Sequence, residues 1–242
     1  MDKPVPPEQS EGSSGHLCGG RTAFLSALLF RRIVIYFLGT FVLAFGVAMM
    51  VKSDLGITPV NSIAYVTSRI LSADHGLMTA IVYSGYVLLQ LIILRREFRI
   101  FSFLQIPVVM VFGLFVSVCN RILSFPVPEA YGVRVLFSLG GVVVIGLGLF
   151  LYLRADLVPQ PSEGLILAIQ KKIPRWKLHN IKIGFDCSLI IIAAGISFIA
   201  TGRLIGFREG SLISMIGIGK AMGFLSAHLG ARVDALFRLK SG

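Results

Sequence analysis

Charge is scarce in this chain of 242 residues: Asp, Glu, Lys and Arg together make up 14%, against about a quarter in a soluble domain. Cysteine is scarcer still, with Cys18, Cys119 and Cys187 standing alone and unpaired in spacing. That excludes a disulfide scaffold and a Cys-ligated zinc or redox motif. His75, His179 and His228 fall at the ends of apolar runs and never at i, i+4, so no metal site is expected. No Ser–His–Asp set or paired carboxylates stand out, so the chain is not expected to be an enzyme. Ile216-Gly217-Ile218-Gly219-Lys220 lacks the Walker spacing and follows no strand, which removes a phosphate loop.

What fills the space is apolar. Hydrophobic residues reach 55% and the mean hydropathy is +0.83, the composition of a polytopic membrane protein. A crossing takes about 20 residues at 1.5 Å each. Six runs qualify, at Ile33–Val51, Gly76–Leu94, Phe101–Cys119, Val133–Leu153, Ile181–Ala200 and Ser211–Leu229. Two others, Thr58–Leu71 and Pro161–Ile173, are too short and too polar to cross. Each opens with a proline near the first helical position, behind Thr58 or Gln160. The expected fold is therefore all-α, a membrane helical bundle of about six transmembrane helices plus two short half-helices.

The short segments are related to each other. A shift of 102 residues pairs Gly39 with Gly141, Gly46 with Gly148, Asp54 with Asp156, Leu55 with Leu157 and Pro59 with Pro161, and sets Lys52 against Arg154. Further downstream Gly113 meets Gly223 only at a shift of 110. An internal duplication follows as the expectation. It gives a disordered cytoplasmic tail over 1–30, one membrane repeat over 31–125, a second over 126–232, and a cytoplasmic tail over 233–242. The first tail is rich in Pro, Glu, Ser and Gly and has no apolar core of the signal-peptide kind.

Orientation comes from the basic residues. The net charge of +11 speaks first to topology and not to a nucleic-acid partner. With six crossings and the N-terminus inside, sixteen Lys and Arg lie inside and six outside, Lys220 being left within a span. Eight crossings would give a similar bias, so length decides: 13 or 14 residues rise only about 20 Å against a core of about 30 Å. Six crossings put three in each half, and the two repeats are then inverted. Both termini and the Arg95–Arg99 loop are expected in the cytoplasm, and Ser124–Glu129 outside. The Arg95–Arg99 loop and the Lys171–Lys182 stretch could meet anionic lipid, with Trp176 and Tyr131 as interfacial anchors.

Non-crossing helices at membrane depth need protein or a watery cavity around them. Paired half-helices are a recurrent way of building a transport site between two repeats. The candidate substrate-binding residues are accordingly Asp54, Thr58, Asn61 and Ser62 in the first half and Asp156, Gln160, Ser162 and Glu163 in the second. The helix starts carry positive dipole ends suited to an anionic or carbonyl-bearing group. In the plainer alternative, Thr58 and Gln160 are only caps, and Asp54 and Asp156 only turn residues. Asp186 and Lys220 form the other candidate, an intramembrane charge pair across consecutive spans. Either charge alone at mid-bilayer costs about 3 kcal/mol on insertion scales. Gly184, Gly195, Gly217, Gly219 and Gly223 are expected to let helices approach closely.

The run Leu55-Gly56-Ile57-Thr58-Pro59 follows a first span bearing Gly39 and Gly46, and His75-Gly76 opens the next. In these motifs, in size and in span pattern, the chain resembles the YczE/YyaS/YitT family of bacterial membrane proteins. The resemblance covers most of residues 33–229. Val158 stands where the second half would need the counterpart of Gly56, so the turn differs there. The resemblance implies a multi-pass bacterial plasma-membrane protein, a transport role as commonly supposed for the family, and no catalytic residues.

Three functions are thus in play. A small-solute secondary transporter or exporter predicts a polar cavity between the short helices. A non-transporting accessory protein predicts a dry, closed bundle centre. A membrane-embedded, lipid-acting enzyme predicts acid, base or nucleophile groups converging at headgroup level. The partners expected are the bilayer and a small polar or anionic solute, with no cofactor; nothing in the sequence sets an oligomeric state.

Overall fold

A computed structural model describes residues 15–98 and 100–237, with side chains over 28–98 and 102–235. Among the described residues eight α-helices follow one another: α1 Gly15–Ser53, α2 Pro59–Ile70, α3 His75–Leu94, α4 Gln105–Ile122, α5 Tyr131–Ala155, α6 Pro161–Lys172, α7 Leu178–Thr201 and α8 Glu209–Phe237. Six of them are long and apolar enough to cross a membrane, and α2 and α6, at 12 residues each, are not. Helix α1 starts at Gly15, inside the stretch expected as tail to residue 30. Helix α8 runs on past the expected boundary at 232 to Phe237. Residues 1–14 and 238–242 lie outside the described residues.

Glycine decides the central packing. Gly39 of α1 lies against Gly148 of α5, and Gly46 lies against Gly141, so the two helices run antiparallel in close contact. A Cβ on Gly39 or Gly46 would come to 3.0 Å from the partner glycine's carbonyl oxygen. Such contact trades side-chain volume for backbone proximity, the common economy of membrane helices. Gly76 and Gly113 do the same for the antiparallel pair α3 and α4, where Gln90 also meets Gln105. The glycines expected to do this in α7 and α8 mostly do not. Gly184, Gly195, Gly219 and Gly223 face open space, and only Gly217 touches a neighbour, Val142.

The connection between α7 and α8 departs from the usual adjacency of consecutive helices. Helix α8 packs along α5 in parallel, with Gly210 near Ser138, Gly217 near Val142 and Gly230 near Arg154. Helix α7 lies instead against α2, where the Ser62 hydroxyl oxygen comes to 3.4 Å from the Leu189 carbonyl oxygen, and against α6. The loop between them crosses the start of α2: the Ile57 N–H donates to the Gly206 carbonyl, and the Gly210 N–H to the Leu55 carbonyl. This contact explains Gly56, whose φ of +127° is open to glycine and whose absent side chain makes room for Ser211.

Ion pairs hold the two ends of the bundle. At one end Asp54 lies 3.6 Å from both Arg134 and Arg208, tying the α1–α2 turn to the starts of α5 and α8. At the other, Glu97 lies 3.0 Å from Lys171 and from Lys172, and Arg154 lies 2.5 Å from Asp234.

Candidate functional site

The two short helices are built alike. Each follows an Asp in the left-handed region, Asp54 at φ 52° and Asp156 at φ 47°, a conformation that Asp tolerates better than most residues. Each then has an extended residue, Thr58 (φ −63°, ψ 144°) or Gln160 (φ −62°, ψ 149°), directly before the proline that opens the helix. Neither Thr58 nor Gln160 closes its helix with a side-chain cap. The Thr58 Oγ1 instead accepts from Asn61 Nδ2 at 2.9 Å.

Their directions are opposite, and α3 serves as the ruler. Along α2 the Tyr86 hydroxyl meets the Val60 carbonyl and the Tyr65 ring meets His75, so α2 runs against α3. Along α6 the Gln90 side chain donates to the Pro161 carbonyl and Glu97 meets Lys171 and Lys172, so α6 runs with it. The two N-termini therefore converge beside the middle of α3, where Tyr83, Tyr86 and Gln90 stand.

A cavity of about 430 Å³ opens at that convergence. Thr58 and Asn61 line it from the α2 start, and Gln160, Ser162 and Glu163 from the α6 start. Aliphatic side chains of α1, α5 and α8 make much of the remaining wall, among them Val47, Leu149 and Ile218. Helix α7 adds Lys182 and Asp186. The volume lies at the small end of the range for ligand pockets, and so does the lining, mostly apolar with a few placed polar groups.

Three of the eight proposed binding residues stand elsewhere. Asp54 is an exposed ion-pair residue, held by the arginines at the starts of α5 and α8. Asp156 is exposed in its turn at the C-terminus of α5. Ser62 is buried but points away from the cavity wall, its hydroxyl donating to the Pro59 carbonyl at 2.6 Å. The side-chain period of the helix accounts for this, since Asn61 and Ser62 differ by about 100° around α2.

The expected Asp186–Lys220 pair does not form. Lys220 is exposed on α8, which has gone to α5, while Asp186 on α7 lies 3.7 Å from Lys182, one turn back on its own helix. The sequence places Lys182 among the loop cations and so hides its part. Its i, i+4 spacing to Asp186 was the available signal. Tyr83 and Tyr152 were hidden too, as apolar filler in long spans. The Tyr83 hydroxyl donates to Asn61 Oδ1 at 2.9 Å. The Tyr152 hydroxyl donates to the Glu163 carboxylate and accepts from the Gln160 N–H. Among the described residues no three His, Cys, Asp or Glu side chains could hold a metal.

A family of unknown function, DUF6198, matches residues 30–227. The chain belongs to it. Every residue lining the cavity falls inside the DUF6198 region. The chain is also similar to the uncharacterized membrane protein YczE of Bacillus subtilis (strain 168), at 29% identity over 198 residues, 81% of this chain and 86% of that one. This places it with YczE-like membrane proteins. No solved structure matches it.

Proposed function

We propose that this DUF6198 protein is a small-solute secondary transporter or exporter of the bacterial plasma membrane, with both termini cytoplasmic and its site between two inverted repeats. The carrying observation is that two half-helices of opposite direction bring their N-termini to one cavity. Transporters of inverted-repeat design place substrate at such broken-helix ends. The repeat has further support in the central contact. The residues matched by the 102-residue shift meet crosswise, Gly39 on Gly148 and Gly46 on Gly141, as a pseudo-two-fold axis between α1 and α5 requires. An accessory protein would have a closed, dry centre, and a cavity with charged groups in its wall weighs against that. No enzymatic step is assigned to it.

The test is access. Ile218→Cys, placed in the cavity wall in a background with Cys18, Cys119 and Cys187 replaced, is expected to react with a membrane-impermeant maleimide from each side of oriented vesicles. Labelling from neither side would mean a closed centre and an accessory protein. Labelling from one side under all conditions would sink alternating access.

A further inference from the structure

Resting on that reading of the cavity as a solute site, we infer that its solute is a lipophilic ammonium ion, with its charged N–H group held by Asp186 and Glu163 and its apolar body against the aliphatic wall. The helix starts alone favour an anion, but the side chains reverse that preference. Glu163 occupies the third position of α6 and already offsets that helix's positive end. The charged side chains lining the cavity are then two carboxylates, Glu163 and Asp186, against one cation, Lys182.

The deciding atom is Asp186 Oδ1. Among the described residues this atom, buried in the cavity wall, has no hydrogen-bond partner, while Oδ2 has Lys182 at 3.7 Å. A carboxylate oxygen can only accept, and leaving one buried and unmatched is costly. An N–H donor brought in by a cation satisfies it, whereas a carboxylate or phosphate would set further acceptor oxygens against it. Lys182 is half-exposed, with its Nζ at the Asp186 carboxylate. A bound ammonium competes with that lysine for the same oxygen atoms.

Three probes of one shape separate the possibilities: 4-phenylbutylamine, 4-phenylbutan-1-ol and 4-phenylbutyrate. Their binding to the full chain in detergent at neutral pH is measured by calorimetry, with protein-free micelles as the blank. The amine is expected to bind roughly ten- to hundredfold more tightly than the alcohol, the range of a charge-assisted hydrogen bond, and the carboxylate most weakly. Asp186→Asn should remove that advantage while leaving alcohol binding intact, which reports a folded cavity. Lys182→Gln should tighten amine binding, an effect that a merely structural lysine would not produce. Lys220→Met, on the exposed face of α8, should change nothing. Equal binding of amine and alcohol, preference for the carboxylate, or no binding of any probe overturns the ammonium assignment. The wild-type comparison decides even where a variant fails to fold. Maleimide access from each side would still stand in those cases, so the transport reading fails or survives separately.

Discussion

Asp186 illustrates how a single residue takes its meaning from its helix's neighbours. A carboxylate inside a span needs a cation, and the sequence offers Lys220 on the next span or Lys182 one turn away. The fold sends α8 to α5, and Lys182 is left as the partner. A double-mutant cycle of Asp186→Asn with Lys220→Met should therefore show additive changes in thermal stability, within about 0.5 kcal/mol. Lys220→Met alone should fold at least as well as the native chain, because it removes an exposed mid-span charge. Tyr152 carries the opposite expectation. Its hydroxyl serves both the Glu163 carboxylate and the Gln160 N–H, so Tyr152→Phe strands two polar groups at once. A loss of about 1–3 kcal/mol is expected in detergent unfolding. Unchanged stability would mean that water replaces the hydroxyl.

At the scale of elements, close helix contacts and helix starts are the sensitive points. A Cβ on Gly148 would fall 2.5 Å from the Leu43 backbone nitrogen, whereas one on Gly184 meets nothing. Gly148→Ala should therefore lose folded yield on gel filtration, and Gly184→Ala should not. Helix α3 starts with a working cap: Asp74 accepts from the Leu77 N–H at 2.9 Å and also from the Ser117 hydroxyl of α4. Partial desolvation pushes the Asp74 carboxyl up, but the hydrogen bonds from Ser117, Leu77 and Gly76 outweigh it and hold its pKa below the ordinary carboxylate value. A lowered folded-state pKa adds stability that is present above the unfolded value and lost as pH falls through the folded one. Asp74→Ala should cost about 1–2 kcal/mol at neutral pH. In the native chain that contribution should fade below about pH 4, a slope that Asp74→Ser, which keeps the cap, should flatten in a pH series of melting temperatures.

For the whole molecule, the arrangement of ends makes one statement about the membrane. The Asp54–Arg134–Arg208 cluster and the loop 123–130 share one end, and Glu97, Lys171, Lys172 and Arg154 share the other. The proposed topology sets the second end in the cytoplasm, where basic residues concentrate. A cysteine at Ser124 should then react with an impermeant reagent applied to intact cells, and one at Arg96 only after permeabilisation. The reverse pattern would invert the molecule, and labelling of both from outside would break the six-crossing scheme.

The six long helices and the two short ones were legible in the sequence because they depend on local properties. Run length decides whether a segment can cross, and proline with an extended residue before it decides where a helix begins. The paired half-helices were legible for the same reason, since Asp54 and Asp156, Pro59 and Pro161 recur at one spacing. Five of the eight nominated residues line the cavity because they sit at those helix starts. Which neighbour each helix chose was decided only in three dimensions. The sequence cannot show that the loop after α7 is spent crossing α2, which carries α8 to α5 and Lys220 away from Asp186. Nor can it show that Tyr83 and Tyr152 reach the two half-helices, or that Lys182 lines the cavity at their starts, because the tyrosines read as filler of long spans and Lys182 as one of several loop cations. Hydropathy sets which segments enter the bilayer. Backbone contact at glycine, and the partners that buried polar atoms must find, set how they meet there.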